Sequence, residues 1–183
     1  MYAATNIRDL FNVNWEHIHA LALGSVLSNF KMHANIFLVP STKPYNELLI
    51  PLGSNPITDH LMSSSDFMMM HHGAGYSRTQ KALGISTWSA ALVNLRVCSQ
   101  GSEHDKNCGT CEKCVRTKLN FLANQLKLPQ SLQDEVDIES SIRLVKLKTK
   151  LLITEWKSVY SAAVLNGVTA NWLNAIKSKI ENS

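Results

Sequence analysis

The sequence predicts an α/β fold: an incomplete parallel layer, a four-cysteine loop and a C-terminal helical extension. Three observations predict it. Two short apolar runs, at 35–39 and 66–72, have the length of strands. All four cysteines, Cys98, Cys108, Cys111 and Cys114, fall within 17 positions. After Pro129 the apolar residues recur almost entirely at helical period.

Taken in order, Asn14 stands where it can cap a helix beginning at Trp15. Apolar residues then follow at Ile18, Ala22, Val26 and Phe30. After Lys31 the period changes. Asn35 to Val39 is nearly continuously apolar, as a buried parallel strand is, and Pro40 and Pro44 end it. Leu48-Leu49-Ile50 is too short to assign. Residues 51–65, PLGSNPITDHLMSSS, form a proline- and hydroxyl-rich loop, long enough to suggest function. The second strand, 66–72, breaks at Gly73. A short helix over 76–83 is expected to stop at Gly84, and Ser86 or Thr87 to cap another through Trp88 and Leu92. From Cys111 a helix runs to about Leu126, burying Val115, Leu119, Leu122 and Leu126, and Pro129 closes it. Ile142, Val145, Leu152, Trp156, Val159 and Ala163 form one stripe. Gly167 interrupts, and Trp172, Leu173, Ile176 and Ile180 mark the last helix. The expected domains are 1–128, containing the loop 98–114, and 129–183. A doubly wound layer normally opens on a strand and holds more than two. The chain therefore reads as the C-terminal part of something larger.

The composition, 45% hydrophobic and 17% charged over 183 residues, is that of a folded chain with enough length for a core. No 18-residue apolar run offers a membrane span, and the N-terminus has no signal-peptide pattern, so a cytoplasmic location is expected. In a reducing compartment, clustered cysteines favour metal or redox chemistry over disulfides. The net charge of +4 lies in residues 91–183, with 13 Lys/Arg against 9 Asp/Glu. That bias suits phosphate or nucleic acid, and equally a solvated lysine-rich face.

The cysteine spacing is C-x9-C-x2-C-x2-C. Thiolates suit zinc in tetrahedral geometry. Gly109 lets the chain turn so that Cys108 and Cys111 reach one ion, and a helical turn sets Cys111 and Cys114 on one face. The helix N-terminus with Lys106, Lys113 and Arg116 favours the thiolate form. Four sulfurs leave no open position, so the expected zinc is structural. An iron–sulfur cluster uses the same donors. A thioredoxin-like pair leaves two cysteines unexplained, and His104 is read as solvated rather than as a ligand.

GSNPITD, HHGAGYSRTQK, LRVCSQ and NCGTCEKCVRT together resemble the C-terminal half of PP-loop ATP pyrophosphatases, proteins similar to 7-cyano-7-deazaguanine synthase. The residues that carry the likeness are Pro56, Asp59, Arg78, Lys81, the four cysteines and Arg116. It spans about residues 1–125 and leaves 131–183 unmatched. The resemblance implies a Rossmann-like (PP-loop, or HUP-type) sheet and ATP cleaved between its α and β phosphates. Attack on the adenylated substrate by nitrogen or sulfur follows, and the zinc is structural. The S-G-G-x-D-S phosphate loop of that family is absent from this sequence. ATP and Mg²⁺ are therefore expected only with a further N-terminal half.

Candidate binding residues follow from position. Gly53 and Ser54 can admit a phosphate or base close to the backbone, and Asp59 can meet an amine or Mg²⁺; turn and cap hydrogen bonds are the competing reading. Thr5, Asn6 and Arg8 precede the first helix, where a relative has an active-site loop, or fray as a terminus. Arg78 and Lys81, three apart on one helix, can hold a polyphosphate. Arg96 and Arg116 are expected to balance the metal centre's charge. His71 and His72 are expected on opposite strand faces, and Met68-Met69-Met70 in the core. The alternative function is a zinc-containing module that binds nucleic acid through Arg78, Lys81, Lys146, Lys148, Lys150 and Lys157. A third is a scaffold whose C-terminal helices dock a partner or a second copy.

Overall fold

The computed structural model describes residues 4–48, 51–98, 100, 105–134 and 136–183. The assignment sought for Leu48-Leu49-Ile50 falls partly outside them, and that for His104 wholly so. The chain forms two compact units, Met1–Ser77 and Arg78–Ser183.

The first unit lays α1 (Trp15–Leu27) on a parallel pair, β1 (Ile36–Pro40) and β2 (Met68–His72), with Ile36 opposite Met68 and Pro40 opposite His72. Asn14 caps α1 as expected, its Oδ1 accepting the Glu16 N–H at 3.0 Å. Of the expected inward face of α1, Ala22 is buried. Ala20 and Gly24 sit innermost, while Trp15, Ile18, Val26 and Phe30 are half-buried. Small side chains let the helix come close: a Cβ on Gly24 would meet Met69 Cε at 3.2 Å. The core is Ala20, Val39, Phe67 and Met69. Successive strand residues point to opposite faces, so Met69 is core while Met68 and Met70, with Ile36 and Leu38, remain exposed among the described residues. His71 and His72 do lie on opposite faces.

The second unit is helical: α2 (Arg78–Gly84), α3 (Ser89–Asn94), α4 (Glu112–Leu122), α5 (Ile138–Leu144), α6 (Lys150–Leu165) and α7 (Trp172–Glu181). Gly84 is the last residue of α2, outside the left-handed region, and so is not a C′ glycine. Trp88, without a side-chain cap, occupies the N-cap of α3; Ser86 and Thr87 fall earlier, in a turn where the Trp88 N–H bonds the Ile85 carbonyl at 3.0 Å. The helix from Cys111 stops before Leu126. Gln125 turns left-handed at φ 56°, and the Leu126 and Gln125 N–H groups bond back to the Phe121 and Leu122 carbonyls. Gly167 ends α6 in the same way. The long stripe over 142–163 is cut in two because Asp137 caps α5 and Thr149 caps a separate α6.

The core is shared across the expected domain boundary. Val115, Leu119 and Ala123 of α4 pack with Ile142, Trp156, Val159, Ala163, Trp172 and Ile176. The two compact units meet at 77/78, and within the second α4 supplies one wall of the core on which α5, α6 and α7 pack. Among the described residues no helix is long and apolar enough to cross a membrane.

Candidate metal centre

The chain reaches α4 through an extended stretch, Leu95–Cys98, that delivers Cys98. Cys111 is the N-cap of α4 and Cys114 lies in its first turn. Between Cys108 and Cys111, Gly109 adopts φ +77°, which a side chain resists. A Cβ there would also meet Asp134 Oδ2 at 2.2 Å, a carboxylate already held by the buried Lys118.

These elements bring the four sulfurs together. Sγ separations are 3.5 Å for Cys111–Cys114, 3.8 Å for Cys98–Cys111 and 4.0 Å for Cys108–Cys114. All four lie within 4.8 Å of one another, and all are free thiols. A tetrahedral ion with bonds of about 2.3 Å holds its sulfurs about 3.8 Å apart, whereas a disulfide brings them to about 2.0 Å. The donor set and the spacing fit a metal and are consistent with zinc. Backbone donors are aimed at the sulfurs as well: the Cys111 N–H at Cys108 Sγ (3.3 Å) and the Gln100 N–H at Cys98 Sγ (3.4 Å).

Electrostatics explain why such a cluster calls for a cation. Burial pushes the Cys114 thiol well above the ordinary range, and its sulfur neighbours add to the shift. Burial raises Cys111 too. Burial also opposes ionisation at Cys108, but the Cys111 and Thr110 backbone N–H groups outweigh it and its thiol falls below the usual value. A divalent ion supplies the positive charge that lets all four ionise at this spacing.

Three supporting groups carry no obvious sequence signal. Asn107 Oδ1 accepts the Val97 and Cys98 N–H groups, while its Nδ2 donates to the Leu95 and Ser131 carbonyls. One amide thus ties both ends of the ligand loop together. Lys118, almost fully buried, pairs with Asp134. Glu155 accepts from Arg116 Nη1 at 2.7 Å, and Glu112 takes Arg116 Nε and the Trp156 indole N–H. Arg116 is thereby committed to two carboxylates, which corrects the expectation that it balances the metal. Arg96 donates to the Cys98 carbonyl, ordering the segment that carries that ligand. Asn107, beside Cys108, was the one of these that adjacency could have flagged.

The remaining predicted residues fall in two settings. In the first unit Gly53 does approach a backbone closely, but the backbone is that of α1. Its N–H donates to the Glu16 carbonyl at 2.7 Å and its carbonyl accepts the Ala20 N–H at 3.2 Å. Ser54 and Asp59 are buried: the Ser54 hydroxyl donates to Asp59 Oδ2 (2.7 Å), and Oδ1 takes the Asn55 N–H (3.0 Å). His71 Nδ1 lies 2.8 Å from Asp59 Oδ2. Thr5 Oγ1 accepts the Ile7 N–H, Asn6 lends its carbonyl to the Asp9 N–H, and the Arg8 guanidinium stands 5.5 Å over the Trp15 ring.

In the second unit Arg78 and Lys81 line one cavity of about 430 Å³ with Arg96, Lys113 and Arg116. Arg78 Nε also bonds Glu155 at 3.2 Å. Desolvation lowers the pKa of Lys81, and the charge of Arg78 lowers it further. An anion in the cavity would relieve that repulsion.

Fold and site together define a mixed helix–strand chain with a small parallel sheet and a closed, four-thiol centre suited to a metal. No family model matches it, and neither a curated protein nor a solved structure is significantly similar.

Proposed function

We propose that this chain is the C-terminal portion of a PP-loop-type ATP-dependent enzyme, in which structural zinc holds the second unit together. The single observation that carries the reading is the set of sulfur separations, 3.5–4.0 Å for the bonded pairs, in the C-x9-C-x2-C-x2-C pattern. The parallel strand pair of the first unit agrees with a Rossmann-like layer, and the five cations of the cavity agree with a phosphate-bearing substrate. Four sulfurs leave zinc no place for substrate, so its contribution is to fix the loop and the start of α4. In the family that the sequence resembles, the amides of an S-G-G-x-D-S loop cradle pyrophosphate, and this sequence does not contain that loop. The chain alone is thus assigned binding and not turnover.

Metal analysis of the purified protein tests this. One zinc per chain is expected; below about half an equivalent, or iron with visible absorption, the assignment fails. ATP is expected to bind without hydrolysis.

A second reading has one observation in its favour. Lys146, Lys148 and Lys150 stand exposed at alternating positions after α5, beside a groove of about 730 Å³ shared by Arg143, Lys179 and Asn174. That surface would track a nucleic-acid backbone. Its test is oligonucleotide binding across a salt series, where a module of this kind shows a log–log slope of about −2 for three phosphate contacts on a single strand. No binding at low salt removes it.

A further inference from the structure

The five cations of the 430 Å³ cavity have different origins. Arg78 and Lys81 belong to α2. The other three come from the metal centre's own segments: Arg96 is two residues before Cys98, Lys113 lies between Cys111 and Cys114, and Arg116 is two residues after Cys114. Arg116 is held by both Glu112 and Glu155, so its role is to brace α4; Arg78 shares Glu155 through Nε at the longer distance of 3.2 Å. The guanidinium of Arg96 is steered by its bond to the Cys98 carbonyl. Lys113 is carried round to the cavity by the turn that also presents two sulfurs.

No acidic side chain lines the cavity among the described residues, and its remaining walls include Ile85, Leu95, Val97 and Phe121. The volume lies within the ordinary range of small-molecule sites, roughly 300–1,000 Å³. Cations mixed with apolar walls suit a polyphosphate that carries an organic group.

We infer that Arg96 and Lys113 are binding residues of an organic-polyphosphate site completed by Arg78 and Lys81, and that the metal-thiolate knot sets their positions. The inference rests on the preceding proposal only in taking the four sulfurs to hold zinc. It adds that the metal centre, though closed to ligands, shapes the site beside it. Two of the four binding cations stand on the segments that carry the sulfurs.

The α2 side is held independently. The Thr79 hydroxyl donates to Asn120 Oδ1 at 2.7 Å, and the Asn124 amide donates to the Thr79 carbonyl at 2.8 Å, fastening α2 to α4. Loss of Arg96 and Lys113 therefore leaves Arg78 and Lys81 in place. The expected result is weaker binding, not rearrangement.

The test is calorimetric titration of the zinc-loaded chain with tripolyphosphate and with ATP at low salt. The double variant Arg96→Gln/Lys113→Gln is compared with Lys127→Gln/Lys177→Gln, which removes the same charge at two exposed positions elsewhere in the unit. Zinc content is measured in every sample. Wild type is expected to bind both probes, with ATP tighter for its apolar contacts. The first variant is expected to bind roughly 10- to 100-fold more weakly with zinc retained, and the second within about twofold of wild type. Lys113→Gln alone, an exposed change that leaves the Arg96–Cys98 bond intact, is expected to lose roughly fivefold and serves if the double variant sheds its zinc. Unchanged binding by Lys113→Gln and by the double variant overturns the inference, as does zinc-loaded wild type that binds neither probe. Both results leave the zinc assignment standing. Wild type without zinc overturns that assignment instead.

Discussion

Cys114→Ser is expected to abolish metal binding and, with it, the ordered start of α4. Cys114 is 0% exposed and lies between two hydrophobic groups. On one side are Cys98 and Leu132; on the other, Val115 and Leu119 open the helical core. Serine offers a hard, poorly ionised oxygen in place of a soft thiolate and leaves a polar hydroxyl in an apolar site. A structural zinc site contributes on the order of 10 kcal/mol of apparent binding free energy, comparable to the whole stability of a typical domain. Zinc per chain should fall from one to near zero after desalting. Amide exchange over Val115–Leu119 should rise toward that of an unprotected chain. Cys108→Ser should be milder, because Cys108 is exposed and its thiol already ionises more readily. Zinc retained at full stoichiometry in Cys114→Ser would refute the four-sulfur site.

The same centre has a pH sign. Without metal, burial holds the Cys111 and Cys114 thiols above their ordinary range, so both are protonated at neutral pH. Metal binding must displace those protons, and affinity therefore rises with pH and is lost on acidification.

The cysteine centre was the most legible part of the sequence because its chemistry is local. The spacing alone placed three sulfurs on one turn and the head of one helix, and only Cys98 depended on a longer path. Helix positions were legible where a cap was spelled out, as at Asn14. They were misjudged where tertiary contacts chose the end. Gln125 turns left-handed without glycine where the chain meets Asn166, which donates to the Ala123 carbonyl and accepts from the Gln125 side chain. The inward face of α1 was legible at Ala22 but not at Ala20 and Gly24, which are weakly apolar. Their value lies in being small, which periodicity of large residues does not register. The compact units divide at 77/78 rather than near Pro129 for a related reason. Pro129 marks a turn in the backbone, while the core passes across it through Val115, Leu119 and Trp156. The role of Arg116 could not be read either, since its partner Glu155 lies 39 positions away and the pair exists only once α4 and α6 meet.

Gly53→Ala is expected to be the most damaging single-methyl change in the first unit. The loop peptide at Gly53 is inserted into the ladder of α1, giving its N–H to the Glu16 carbonyl and taking the Ala20 N–H. Those two helix groups would ordinarily bond each other. The insertion brings main chain against main chain. A Cβ at Gly53 would lie 2.6 Å from the His17 carbonyl carbon, 2.7 Å from the Ile18 nitrogen and 2.8 Å from the His17 oxygen. Every one of these atoms belongs to a helix backbone, so no flexible side chain can yield. Either α1 bends or the loop withdraws. Withdrawal forfeits two backbone hydrogen bonds and unseats Ser54 and Asp59, whose buried carboxylate is satisfied only in that loop conformation. The combined cost is about 3–5 kcal/mol, from overpacking and from hydrogen bonds lost with a buried charge exposed to mispairing. Gly84→Ala provides the contrast. It is the last residue of α2, a Cβ there meets nothing within 4 Å and its φ is ordinary, so the same methyl should be neutral or stabilise by up to about 1 kcal/mol. Equilibrium urea unfolding of the two variants beside wild type decides the matter. If Gly53→Ala unfolds at the wild-type midpoint, the loop is not threaded into α1 and Gly53 is returned to the surface as a residue free to meet a ligand.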